Sequence, residues 1–386
     1  MPGLHIQNEA KAKVKDKGKD KDKLAAFVFD IDGVFIRGEK LIPGARETIQ
    51  LLQRRNDPFI FLTNGGGHTE QQRVEKLGQK LGLTLDPKQF VQSHTPYYDL
   101  VPEYGDKTVL VLGAHGDQIR DLAREYGFQK VVTSSDVVAE FPHIHPFPEM
   151  TQAHHDRYGR DTGVLGTTPV AAVMFWSSPR DWGLDYQVVT DLLLSSGGYM
   201  GTRSAKNGDA SLPNHGFQQD GQPRLFFCNP DFVWSTEYAS PRLAQGAFLA
   251  GLKGIWAEVT GGRAALEHTL VGKPTEATYA YAERALRDYA GALQPARDVG
   301  TVYMVGDNPR SDIAGANAFA ARSRCGYVWK SVLVETGVHV PGSTPAHSPD
   351  HTAKDVREAV EWALRKEKLI NGNGNGNGNG NGTEMK

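Results

Sequence analysis

Only two cysteines, Cys228 and Cys325, occur in 386 residues. No disulfide framework can therefore hold the chain, a reducing compartment suits it, and each thiol reads as core filler. No stretch approaches the roughly 18 consecutive apolar residues that a membrane-spanning helix requires, which leaves no transmembrane segment. Basic charge is not in surplus either. A formal net charge of -2 at pH 7 lacks the general attraction that nucleic acids and anionic membranes exploit, so a small molecule is the expected partner and nucleic acid is not. No repeat of solenoid period runs through the sequence.

Both ends read as disordered tails, 1–23 and 369–386. Residues 10–23, AKAKVKDKGKDKDK, place seven lysines among aspartates with almost no apolar surface to offset the entropy of ordering. The segment is not the amphipathic, arginine-rich, acid-poor pattern of a mitochondrial presequence. Residues 371–382 are six Asn-Gly repeats, a flexible polar tract.

Between the tails, residues 25–30, 58–63, 108–113 and 301–306 are short, β-rich apolar runs that predict buried strands. Helical patterns alternate with them: Ala45, Ile49 and Leu52 share one face, and Val74, Leu77 and Leu81 another, the second opened by Thr69 and Gln72 at capping-box spacing. A further helix is predicted from Pro274, with Ala282, Leu286 and Tyr289 on one face. Strands alternating with helices predict an α/β fold, a Rossmann-like parallel sheet covered on both faces, with ligands at the carboxyl ends of the strands.

Four elements fall at such ends. AFVFDIDGVF (26–35) delivers Asp30 and Asp32 from a buried strand; FLTNGGG (61–67) supplies Thr63, Asn64 and a glycine loop beginning at Gly65; VGKPTEA (271–277) supplies Lys273; MVGDNPRSDIAGA (304–316) supplies Asp307 and Asp312. Two carboxylates at the edge of an apolar core stay ionised only with a cation or donors nearby, and Mg2+ accepts such hard oxygen ligands. The glycine loop offers N–H groups for phosphate oxygens. D-x-D-G alone is weak. An EF-hand would need an oxygen ligand at Val34 and a glutamate at Leu41, and a glycosyltransferase-type D-x-D would explain the first element only.

The four elements together, in this order, resemble the haloacid dehalogenase superfamily. The resemblance implies a magnesium-dependent phosphatase in which Asp30 is the nucleophile and Asp32 the general acid and base, with Thr63 and Lys273 completing the catalytic set. It further implies that Asn64 and Gly65 contact phosphate, and that Asp30, Asp32 through its carbonyl, Asp307 and Asp312 serve the metal.

Thr63 and Lys273 are separated by 209 residues, far more than one core needs, so a second lobe is expected as an insertion. The expected division is core over 24–95 and 258–368, the latter with a C-terminal helix, and an inserted α/β cap over 96–257. Within the cap, TPVAAVMFWSS and RLFFCNPDFVWS read as strands, and YQVVTDLLLSSGG as a helix stopped by glycine. This C2-type placement resembles class IIA, the nitrophenylphosphatase and NagD-like group. CNPD (228–231) resembles that group's T-N-P-D element, giving Asn229 and Asp231 as substrate contacts. The two long insertions, EFPHIHPFPEMTQAHHDRYGRDTG (140–163) and RSAKNGDASLPNHGFQQDGQPR (203–224), are similar to those of a eukaryotic branch related to the cat eye syndrome critical region protein. That similarity implies mitochondria and a link to glycerophospholipid metabolism, whereas the lysine-aspartate N-terminus does not fit that address and leaves an intracellular, cytoplasmic location open; a homodimer through the cap is a separate expectation. A phosphotransferase and a non-catalytic binding protein are the alternative readings. His143, His145, His154 and His155 have neither one-helix zinc spacing nor a cysteine partner, and read as loop residues.

Overall fold

In the strand Leu24–Phe29 alternate side chains serve two different cores. Phe27 and Phe29 enter a cluster with Phe35, Phe59, Phe61 and Phe90, whereas Ala26 and Val28 join Ile60, Leu62, Met304 and Leu286 on the opposite face. Burying each large side chain contributes about 1.5–3 kcal/mol, which explains why the run is apolar on both faces. The computed structural model describes residues 24–234, 238, 240, 242–296 and 298–370. Of the expected tails 1–23 and 369–386, residues 1–23 and 371–386 lie outside the described residues, whereas Leu369 and Ile370 pack against the phenylalanine core because both are apolar and follow closely on the C-terminal helix.

This strand stands inside a six-stranded parallel sheet. In spatial order the strands are His351–Ala353, Val328–Val334, Val299–Gly306, Leu24–Phe29, Phe59–Leu62 and Phe90–Val91. Phe29 pairs with Val305 on one side and Phe61 on the other. The connections depart to opposite sides of Leu24–Phe29, making its carboxyl end the topological switch point where open α/β sheets bind ligands. Helices Ala45–Arg55, Glu70–Leu81 and Val356–Lys366 cover the phenylalanine face, and Glu276–Ala292 covers the other. The predicted capping box at Thr69 and Gln72 is present.

The inserted lobe builds a second parallel sheet, ordered Thr269–Leu270, Arg224–Phe227, Val170–Phe175, Thr108–Leu112 and Lys130–Val132. The predicted run 108–113 thus belongs to the insertion. So does Thr269–Leu270, which pairs with Phe226 and Phe227, and the helix Gln245–Thr260 packs there through Trp256. The expected division at 257/258 falls inside the helix Gln245–Thr260, ahead of Thr269–Leu270, a two-residue edge strand that carries too little pattern to be read from sequence.

Other local differences have local causes. The helix predicted to open at Pro274 begins at Glu276 with Thr275 as N-cap, so Pro274 precedes the cap. The helix Trp182–Leu194 ends at Ser195, before the left-handed Gly197 and Gly198. His154 and His155, expected in a loop, lie in the helix Gln152–Tyr158. No described helix is long and apolar enough to cross a membrane.

Candidate active site

Where Leu24–Phe29 ends, the backbone must turn tightly while passing under a neighbouring carboxylate. Gly33 has φ +86°, and a Cβ there would meet Asp307 Oδ2 at 2.3 Å, so glycine is required on both counts. The turn leaves Asp30 buried and Asp32 exposed at the cleft mouth. Lys273 enters from the far end of the insertion, only 2 % exposed. Its Nζ lies 2.5 Å from Asp30 Oδ1 and 2.7 Å from Asp312 Oδ1.

Asp307 and Asp312 follow the strand Val299–Gly306. The N–H of Asn308 donates to Asp312 Oδ2 at 3.0 Å, and that of Val338 to Asp307 Oδ2 at 2.6 Å. Ligand-type oxygens of Asp30, Asp307 and Asp312 lie within 4.8 Å of one another. The side chain of Asp32 is not in that cluster.

Three buried carboxylates face one ammonium, and the electrostatics show the imbalance. Burial raises Asp30 well above the usual carboxylate value; Lys273 pulls it down, and Asp312, Asp307 and Asp32 push it up. Asp307 is pushed up to about 7, first by burial and then by Asp312. Burial works against the charge on Lys273, but Asp30 and Asp312 overcome it and raise its pKa. With all groups ionised a charge of about -2 remains, the complement of one divalent cation, and hard oxygens in this number suit Mg2+. Asp32 is also raised, by the low-dielectric walls of the cleft, against the pull of Arg73 and then Lys273.

Thr63 is 4 % exposed at the end of Phe59–Leu62. Its Oγ1 accepts the N–H of Gly65 at 3.0 Å, which leaves the hydroxyl proton for a ligand oxygen. The loop that begins at Asn64 was expected to offer its N–H groups to phosphate; the side chain of Asn64 is occupied elsewhere. Its Oδ1 accepts the Lys273 N–H at 2.8 Å, while its Nδ2 donates to the Lys273 carbonyl at 3.0 Å and to Asp231 Oδ2 at 3.1 Å. Both ends of the amide are thereby engaged by protein, so Asn64 braces Lys273 and does not offer its side chain to phosphate. Asn229 joins the brace: its Nδ2 donates to the Asn64 carbonyl at 3.0 Å, and its Oδ1 accepts the Asp231 N–H at 2.8 Å. Asn229 and Asp231 thus reach the site as the seam between lobes.

Cys228, just before them, is buried, receives the Ser93 hydroxyl at 3.3 Å and has its thiol pushed up to about 11 by burial. It is not a thiolate nucleophile. Arg73 escaped the sequence reading. Its Nη2 donates to the Gly66 carbonyl at 3.1 Å and its Nε to Gln92 Oε1 at 3.2 Å, fixing a guanidinium beside the glycine loop. The available signal was its place in the first turns of the helix that follows that loop.

Comparisons with known proteins agree with this geometry. Residues 27–129 match the family described as haloacid dehalogenase-like hydrolase, and residues 270–359 a second HAD-hydrolase-like family. The mitochondrial hydrolase YKR070W of Saccharomyces cerevisiae is 36% identical over 361 residues, covering 88% of this chain and 96% of that protein. A cardiolipin synthase (CMP-forming) / mitochondrial hydrolase fusion protein of Schizosaccharomyces pombe is 38% identical over 343 residues; the match covers 88% of this chain but 53% of the fusion's length. Among solved structures, the p-nitrophenyl phosphatase from Archaeoglobus fulgidus is 18% identical at a TM-score of 0.55, over 87% of this chain and 98% of that one. NagD from E. coli K-12 is 18% identical at 0.54, with the same coverage of 87% and 98%.

Proposed function

Because the chain belongs to the haloacid dehalogenase-like hydrolases, we propose that it is a phosphomonoesterase acting on a small phosphorylated metabolite through an aspartyl phosphate on Asp30. The observation that carries this reading is the convergence of Asp30, Lys273, Asp307 and Asp312 at the switch-point end of the sheet.

Lys273 holds Asp30 Oδ1 and presents the other carboxylate oxygen for attack on phosphorus. As that P–O bond forms, the bond to the leaving oxygen breaks, and Asp32 supplies the proton the leaving group needs. Its pKa, raised from the ordinary carboxylate value by desolvation in the cleft, favours the protonated form that a general acid needs. Asp32 then takes a proton from water as water attacks phosphorus; the bond to Asp30 breaks, phosphate departs and the nucleophile is restored. Thr63 donates its free hydroxyl proton to a phosphoryl oxygen, with the N–H groups of the glycine loop beside it. Asp30, Asp307 and Asp312 would hold Mg2+, which supplies positive charge opposite the phosphoryl oxygens.

A cation and a proton compete for Asp307, whose pKa lies at about 7. The Mg2+ needed for half-maximal activity is expected to be nearly constant above that pH and to rise up to about tenfold per unit below it. Equal half-saturation values at pH 8 and pH 6 would contradict this. Phosphate release from a panel of phosphorylated metabolites, with and without Mg2+, tests the function itself. Release that needs Mg2+ and stops in Asp30→Asn is expected; saturable binding with no release would favour a binding protein.

A second reading draws on the fusion of a relative to a cardiolipin synthase: a glycerol-phosphate or lipid-linked substrate, handled in mitochondria, with an alcohol accepting the phosphoryl group in place of water. Transfer to added glycerol in preference to hydrolysis would favour it. The homodimer expected through the cap would use the exposed Phe232, Trp234 and Leu243.

A further inference from the structure

Far along the insertion, a second group of ligand-type side chains plays no part in the reaction. His145 follows the short turn Pro142–Ile144, His155 lies in the helix Gln152–Tyr158, and Asp181 is the N-cap of the helix Trp182–Leu194. One ligand atom from each lies within 4.8 Å of the others. Asp181 Oδ2 is 3.4 Å from His145 Nε2 and 3.9 Å from His155 Nε2.

Those separations are long for direct N–H···O hydrogen bonds, which run about 2.7–3.2 Å. Bonds of about 2.0–2.1 Å at tetrahedral angles set ligand atoms about 3.3–3.4 Å apart; the 3.4 Å from His145 to Asp181 matches that spacing, and the 3.9 Å from His155 needs His155 Nε2 to move in by about half an ångström. Two of the three atoms, His155 Nε2 and Asp181 Oδ2, are buried without a hydrogen-bond partner, and His155 is only 5 % exposed. A native fold rarely leaves such atoms unsatisfied.

The other atoms of the same side chains are anchored. Ser135 Oγ lies 3.0 Å from His155 Nδ1, and the N–H of Leu184 donates to Asp181 Oδ1 at 3.0 Å. Each side chain is thus held at one atom and turned inward at the other, as metal ligands are by their outer partners. His145 Nε2 also lies 2.9 Å from Thr151 Oγ1, a contact that metal binding would exchange for a coordinate bond.

We propose that His145, His155 and Asp181 bind one zinc ion, with water in the fourth position, tying the turn after Ile144 and the helix Gln152–Tyr158 to the start of the helix Trp182–Leu194 within the inserted lobe. Two imidazoles with one carboxylate favour zinc over magnesium. Asp181 follows four residues after Ser177, which sits so close to Gly67 of the glycine loop that a Cβ there would be 3.3 Å from Ser177 Cβ.

The full-length chain, stripped with a chelator and desalted, is titrated with Zn2+ in excess Mg2+, which keeps the catalytic carboxylates engaged. Bound zinc is counted by metal analysis and the melting temperature is followed. One equivalent retained, an upward melting shift, and at least about tenfold weaker zinc binding in both Asp181→Asn and His145→Gln are expected. Asparagine keeps the helix cap, and melting in Mg2+ alone shows whether each variant folds. Substoichiometric zinc in the natural sequence, or unchanged zinc affinity in either folded variant, would overturn the proposal.

Discussion

Asp30→Asn is expected to lower turnover by about 10⁴–10⁶-fold while leaving the melting temperature of the metal-free protein unchanged or raised. The first half follows from chemistry, since an amide cannot form the covalent intermediate and Asp32, at the cleft mouth, is placed to move protons. The second half follows from linkage. In the folded chain the pKa of Asp30 is raised by burial and by its acidic neighbours, in spite of Lys273. A carboxyl raised on folding destabilises the fold as pH climbs past its unfolded value of 3.8, so removing the ionised form relieves the fold at neutral pH. Asparagine preserves the volume and keeps an oxygen for Lys273. Turnover with the preferred metabolite and thermal melting in chelator check both halves; an Asp30→Asn protein with more than about 1% of normal turnover would remove Asp30 from the role of nucleophile.

Lys273→Ala is expected to fail in both respects. It takes away the only cation in direct contact with Asp30 and Asp312 among the described residues, and leaves buried carboxylates uncompensated. Breaking a buried pair in this way costs about 3–5 kcal/mol, much more than an exposed pair. Activity should fall by at least about 10²–10³-fold, the scale of losing one fixed donor at a developing charge. Mg2+ should restore a good part of the stability, because it neutralises the same oxygens, but little of the rate. Urea unfolding with and without Mg2+ measures the difference. Equal stability of mutant and natural protein in chelator would mean that the three carboxylates do not share the charge described.

Strand runs, helix faces and the capping box at Thr69 were legible because each rests on periodicity or spacing within one segment. Asp30, Thr63 and Asp307 could be placed together because each follows a strand of one parallel sheet, whose carboxyl ends share a rim; Lys273, which follows the edge strand of the other sheet, was suggested only by its place before a helix start and by the family resemblance. What escaped depends on pairing across long separations. Thr269–Leu270 joins the cap sheet through Phe226 and Phe227, a partnership that two residues cannot announce. Asn64 looked like part of a phosphate loop, yet its amide is matched to the backbone of Lys273, 209 positions away. His145, His155 and Asp181 come from a turn, a seven-residue helix and a helix cap, so no single period joins them.

The amide of Asn64 clasps the peptide groups of Lys273 and the carboxylate of Asp231 at once, so a single side chain joins the backbone that carries the buried ammonium to the CNPD turn of the inserted lobe. A swing of the cap away from the core would draw on that clasp before it widened the entrance by much.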